Sequence, residues 1–205
     1  MRETFGQRFR HSCMTLLLQR STARKAMWPS PGGAGCEGRA HGLFVSFSLS
    51  AMTEGYDLTE FLNANPEGWN EAMSLRFTKA TADEVVAELE VGPQHLQAYG
   101  IVHGGVHCGV VETTCSIGAW TWARRFKLAV VGVENQTSFL HAVRPGARLK
   151  ATSRPISRDE RTQVWEANII DEQGRLIAFG RVRLLCLPEQ QELAGERLGS
   201  PLKRA

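Results

Sequence analysis

Apolar and polar residues alternate over MSLRFTKA (residues 73–80) and EVVAELEVG (84–92), a period of two that predicts two strands joined by a short polar turn at 81–83. Ahead of them, DLTEFLNANPEG (57–68) predicts a short helix. Asp57 can cap it, Glu60 sits three residues later, Phe61 and Leu62 supply an apolar patch, and Pro66 follows its end. PQHLQAYGIVHGG (93–105) reads as a loop, marked by Pro93, Gly100 and the Gly104–Gly105 pair. From Val106 to about Phe126 the period lengthens to that of a helix. Val106, Val110, Ile117 and Trp120 fit one face, Gly109, Cys115, Gly118 and Ala119 keep the helix slim, and Arg124, Arg125 and Lys127 suit its C-terminal dipole. Four strand-like segments follow, 129–143, 147–158, 162–171 and 175–187, with turns at Pro145–Gly146 and 172–174 between them, a pattern that predicts a meander.

The helix is apolar around almost its whole circumference, so something must wrap it. A curved antiparallel sheet is the natural wrapper. The prediction is an α+β domain over residues 52–187, followed by a polar tail, 188–205.

Residues 1–51 do not share this patterning. They hold seven Lys and Arg against two acidic residues, while residues 52–205 hold seventeen against nineteen. The formal net charge of +3 therefore belongs to the leader, and the body gives no reason to expect a nucleic-acid partner. The leader fits a transit-type peptide, a secretory signal whose apolar region would be GLFVSFSLSA, or an extension upstream of the functional start. The third is favoured, because the body opens at Met52 as an ordinary amphipathic chain. The longest apolar run, 42–52, is too short to span a bilayer. Five cysteines, at 13, 36, 108, 115 and 186, form no CxxC pair and are odd in number, which fits free thiols in a reducing, cytoplasmic setting.

Within the helix, Glu112 is the conspicuous residue. A carboxylate among apolar neighbours is costly unless partnered or useful, and burial raises its pKa toward what a general base needs. The plainer reading puts Glu112 on an exposed stripe of the helix. Gly104 and Gly105, where the helix starts, present unpaired N–H groups and the positive end of the dipole, and let a substrate approach the backbone. Such donors can hold an oxyanion. Glu112 lies eight residues beyond Gly104, roughly 12 Å along the axis, so one copy of the helix cannot bring both groups to one carbonyl. Two antiparallel copies can, which points to a site shared by a homodimer.

HGGVHCGVVE (103–112) resembles the signature of hotdog-fold acyl-CoA thioesterases, in the subgroup of the phenylacetate-pathway and 4-hydroxybenzoyl-CoA enzymes. The segment VGVENQTSFLHAVRPGARLKATSRPIS, the strand after it, the D-x-x-G turn and the last strand are similar to that family too, so that the likeness spans about residues 60–187. The resemblance implies a hotdog fold and hydrolysis of an acyl- or aroyl-CoA, with coenzyme A as part of the substrate and no separate cofactor. It implies a dimer that assembles further into a tetramer. Glu112 takes the place of the catalytic acid, as base or nucleophile, and Gly104 that of the amide polarising the carbonyl from the other subunit. His103 would shape the loop, Gln97 would lie near the thioester, and Ser116, one turn beyond Glu112, would position water. Gly105, Asn135 and Phe139 are expected along the substrate channel, with plain packing the other reading of Asn135 and Phe139, and Arg158 and Arg161 at the nucleotide phosphates, with a solvated surface face the other reading of the arginines.

His107 and Cys108 depart from the pattern, which has bland apolar residues there. His107 reads as a packing histidine before a second base, and Cys108 as a small buried thiol before a nucleophile, since no orienting partner is evident. Trp120 and Trp122 read as packing before an acyl tunnel. No metal site is expected, because His95, His103, His107 and His141 lack carboxylate or thiolate partners at ligand spacing. Three rivals remain: a hotdog hydratase, whose Asp and His pairing is not found, a non-catalytic acyl-CoA-binding or regulatory dimer, and a globular domain in which HGG occurs by chance.

Overall fold

The short elements at the start of the domain are set by side chains that compete with the helical hydrogen bonds. In the computed structural model, which describes residues 56–197, Asp57 Oδ1 accepts the Thr59 amide at 2.9 Å and starts α1, Thr59–Ala64. The helix stops sooner than its pattern suggests. Asn65 donates back to the Phe61 carbonyl through both its backbone and its side-chain nitrogen, and Pro66 cannot continue the helix. Gly68, at φ 57°, then turns the chain into α2, Gly68–Ala72, an element the sequence reading did not anticipate. The expectations for residues 1–51 and for the last residues of the tail lie outside the described residues.

Strands β1 (Arg76–Ala80) and β2 (Val85–Glu90) form the expected hairpin. They are followed by α3 (Gly104–Ala123) and by β3 (Leu128–Phe139), β4 (Arg148–Arg158), β5 (Thr162–Asp171) and β6 (Leu176–Pro188). The six pair antiparallel in the order β1-β2-β4-β5-β6-β3. Only β4, β5 and β6 make the expected meander. β3 pairs with β6 at the far edge, and β2 takes the place beside β4, in a register running from Val85↔Ser153 to Glu90↔Arg148. Alternation specifies a strand and its two faces, but not its neighbour. Among the described residues, the order leaves one long side of β3 unpaired.

The sheet curves around α3, as the resemblance implies. Val106, Val110, Val111, Cys115 and Ala119 of the helix are buried with Trp165, Ile169, Ile177, Val182 and Leu184 of the strands in one cluster. Gly118 lets the helix settle on the sheet, since a Cβ there would fall 2.4 Å from the Trp165 ring. The Trp165 indole donates to Gln163 Oε1 at 2.9 Å, and Gln163 Nε2 donates to the Ala119 carbonyl at 3.1 Å, so the buried polar atoms of this contact satisfy one another. No helix of the described residues is long and apolar enough to cross a membrane.

The loop leading into α3 hangs on a fully buried histidine. His95 Nδ1 accepts the Gly92 amide at 2.8 Å, its Nε2 lies 2.9 Å from the Met73 carbonyl, and its own carbonyl accepts the His103 amide at 2.8 Å. The ring is therefore the Nε2–H tautomer, tying the end of α2 to the entry of α3. His95→Ala leaves a part-buried N–H and a part-buried C=O without their ring partner. We expect a loss of about 2–4 kcal/mol of stability, from unpaired groups and lost packing. Thermal unfolding checks it: a wild-type Tm would show that these bonds do not hold the loop.

Candidate active site

Helix α3 has one stripe that is not fully buried. Gly105, Cys108, Gly109, Glu112, Thr113 and Ser116, spaced by three and four residues, are half-buried or exposed, while the residues between them face the sheet. Glu112 stands on this stripe, half-buried, and not in the apolar enclosure that the sequence reading expected. Its surroundings are polar on one side. Asn135 Nδ2 donates to Glu112 Oε2 at 2.9 Å and to the Cys108 carbonyl at 3.1 Å, and Ser116 Oγ lies 3.5 Å from Oε1. The strand that carries Asn135 runs close beneath the carboxylate. A Cβ on Gly132 would fall 2.1 Å from Glu112 Oε1. On the other flank, α2 closes over the stripe: Trp69 occupies the space a Cβ on Gly109 would need, and Thr113 Oγ1 lies 3.4 Å from Asn70 Oδ1.

The start of α3 is built by its cap. His103 has extended backbone angles, and its Nδ1 accepts the Gly105 amide at 2.8 Å. The His103 carbonyl accepts the Val106 amide at 2.9 Å. The Gly104 N–H is left without an acceptor among the described residues. Phe139, at the end of β3, packs its ring over Gly104, where a Cβ would fall 2.8 Å from Cε2, and lies 5.9 Å between centroids from the buried His107 ring. Burial pushes the His107 pKa down, so the ring is neutral near neutral pH.

Two groups of expected residues are thus assembled separately. Glu112, Ser116 and Asn135 meet between α3 and β3; His103, Gly104, Gly105 and Phe139 meet at the helix start. Gln97 is half-buried in the loop before α3, held by its amide to the Ile101 carbonyl and by its carbonyl to the Gly100 amide, each at 2.9 Å. One of the two expected arginines is taken up within the protomer. Arg158 donates to Asp83 Oδ1 at 2.8 Å and to the Ala82 carbonyl, and its guanidinium lies over Trp122, so it ties β4 to the β1–β2 turn. Arg154 is likewise taken by Glu84. Arg161 remains exposed at the β4–β5 turn. Among the described cysteines all three are free; Cys115 is buried, which pushes its thiol pKa up and leaves it inert, and Cys108 contributes its carbonyl to Asn135. The described residues hold no cluster of three or more His, Cys, Asp or Glu suited to a metal ion.

Gly132, beneath the carboxylate, and Thr137, whose hydroxyl donates to Asn135 Oδ1 at 2.6 Å, also belong to this arrangement and are not singled out by the sequence. Gly132 left a signal: a glycine interrupting the apolar run AVVGV marks a bulge or a close approach, and the β3–β6 register does slip between Gly132 and Glu134.

Comparison with known proteins bears on this arrangement. A family model described as the thioesterase superfamily matches residues 99–178. The chain is 38% identical to the Mycobacterium tuberculosis protein Rv1847 over 114 residues, 55% of this chain and 81% of that protein. It is 30% identical to the 1,4-dihydroxy-2-naphthoyl-CoA hydrolase of Escherichia coli over 124 residues, 60% of this chain and 90% of the other. The crystal structure of S. sahachiroi AziG superposes with a TM-score of 0.58 at 39% identity, covering 60% of this chain and 99% of that one.

Proposed function

The chain belongs to the thioesterase superfamily and is a thioester hydrolase, and on that premise we propose that it cleaves an acyl- or aroyl-CoA at a site formed by two copies of α3. One observation carries the proposal. Glu112 is anchored through Oε2 with Oε1 left beside Ser116, while the unpaired Gly104 amide sits about 12 Å away on the same helix. A carbonyl gripped by both needs the second copy's helix start. The unpaired side of β3, next to Glu112, is the natural seam for that copy.

In this reading Glu112 takes a proton from a water held between Oε1 and Ser116. The water oxygen bonds to the thioester carbon, and the negative charge on the carbonyl oxygen is met by the partner's Gly104 amide and helix dipole. Collapse of the tetrahedral intermediate breaks the C–S bond. The thiolate of coenzyme A takes up the proton, and the free acid leaves. Arg161 would lie toward the nucleotide phosphates, and the dimer is the minimal active unit. The test is a panel of aliphatic and aromatic acyl-CoAs followed for free thiol. Equimolar thiol and carboxylic acid are expected. Saturable binding with no thiol release would turn the reading into an acyl-CoA-binding dimer.

A further inference from the structure

Asn135 sits where a substrate contact was expected, yet both donors of its amide are already spent within the protomer. The amide nitrogen faces Glu112 Oε2 at 2.9 Å and the Cys108 carbonyl at 3.1 Å. Its oxygen accepts Thr137 Oγ1 at 2.6 Å, from two residues along on the same side of β3. This chain of bonds has one consistent direction. The groups facing the nitrogen are two acceptors, a carboxylate and a carbonyl, and the group facing the oxygen is a hydroxyl that can donate. Flipping the amide would set oxygen against both acceptors.

Two glycines make room for the chain. Without a side chain at Gly132, Glu112 Oε1 can approach the strand closely. At Gly180, the residue opposite Thr137 on β6, a Cβ would fall 2.6 Å from Thr137 Oγ1. Two separate strands therefore leave space for one hydrogen-bonded line, Thr137 to Asn135 to Glu112.

We propose that Asn135 and Thr137 are positioning residues of the hydrolase, which pin Glu112 through Oε2 so that Oε1 alone is presented to the attacking water. Neither touches substrate. Thr137 fixes the orientation of the Asn135 amide, and Asn135 fixes the rotamer of Glu112 in the Gly132 notch. The inference rests on Glu112 being the catalytic carboxylate, as proposed above.

The experiment is a set of steady-state measurements on the full chain with the best acyl-CoA of the panel. Asn135→Ala should lower kcat about 10- to 100-fold, the usual effect of a misplaced catalytic group, with KM almost unchanged. Asn135→Asp should do at least as much harm, because it sets oxygen against both acceptors. Thr137→Val should lower kcat by a smaller factor, and Thr137→Ser, which restores the hydroxyl, should recover it. The double variant Glu112→Gln with Asn135→Ala should be no slower than Glu112→Gln alone, since a residue acting only through Glu112 has nothing left to position. An increase in KM at unchanged kcat would make Asn135 a substrate ligand and overturn the proposal. So would additive losses in the double variant, or full activity in both Asn135→Ala and Thr137→Val. Should Asn135→Ala fail to fold, the Thr137 pair decides alone. Failure of the underlying reading is distinct: there, Glu112→Gln itself keeps its activity.

Discussion

Replacing Glu112 with glutamine should lower kcat by about 10³-fold, within the range by which a positioned base accelerates proton transfer, and should leave KM and Tm near their wild-type values. Glutamine has nearly the same shape. Its oxygen can still accept from Asn135 Nδ2, and its nitrogen can turn to the Ser116 hydroxyl, so the contacts between α3 and β3 survive. What disappears is the ability to take a proton from water. The half-buried position makes the test clean: no charge is stranded in the core by the change, and no cavity is opened, so a fall in rate has no packing explanation. Thiol release from acyl-CoA, measured beside thermal unfolding, gives the answer. Activity within about threefold of wild type would remove Glu112 from the chemistry.

How far the sequence could reveal this site follows from the distance between the groups along the chain. The offset from His103 to Glu112 and on to Ser116 is local, fixed by helical geometry, and the cap at His103, the helix start at Gly104 and the Ser116 contact with Glu112 all appear. Asn135 could be suspected as a neighbour, but its donors go to Glu112 and Cys108 only because β3 lies alongside α3, which alternation cannot say. Arg158 shows the same limit from the other side. Its neighbours in sequence suggest a basic cluster, yet the β2–β4 pairing brings Asp83, 75 residues away, against it. The edge position of β3 was equally hidden. Four alternating segments in a row look like a meander, and only the packing of the helix against the sheet shows that β3 belongs on the far side of β6. The half-burial of Glu112 is hidden for a related reason. An apolar helix suggests wrapping all round, but the sheet covers it on one side and α2 covers only part of the remaining stripe.

A site divided between two copies makes a sharper prediction than any single substitution. Gly104→Pro removes the amide proposed to hold the oxyanion while leaving the helix able to form. Gly104 is the first helical residue, where proline is well accommodated and its missing N–H breaks no bond in the helix. His103 before it has φ −70° and ψ 136°, the conformation a residue preceding proline prefers. The ring needs space now filled by Phe139, but that side chain is 53% exposed and can swing away. Alone, Gly104→Pro should lower kcat by about 10²- to 10³-fold, the range for loss of one oxyanion donor. Mixed with Glu112→Gln by refolding or coexpression, it should recover activity. In a mixed dimer, one of the two sites receives Glu112 from the Gly104→Pro chain and Gly104 from the Glu112→Gln chain, and is whole. With random pairing, half the dimers are mixed and each carries one good site, so about a quarter of the wild-type rate should return. No protomer in the mixture has both residues intact. Recovery therefore cannot arise within a single chain, and a mixture no faster than its two components would place the whole reaction within one protomer.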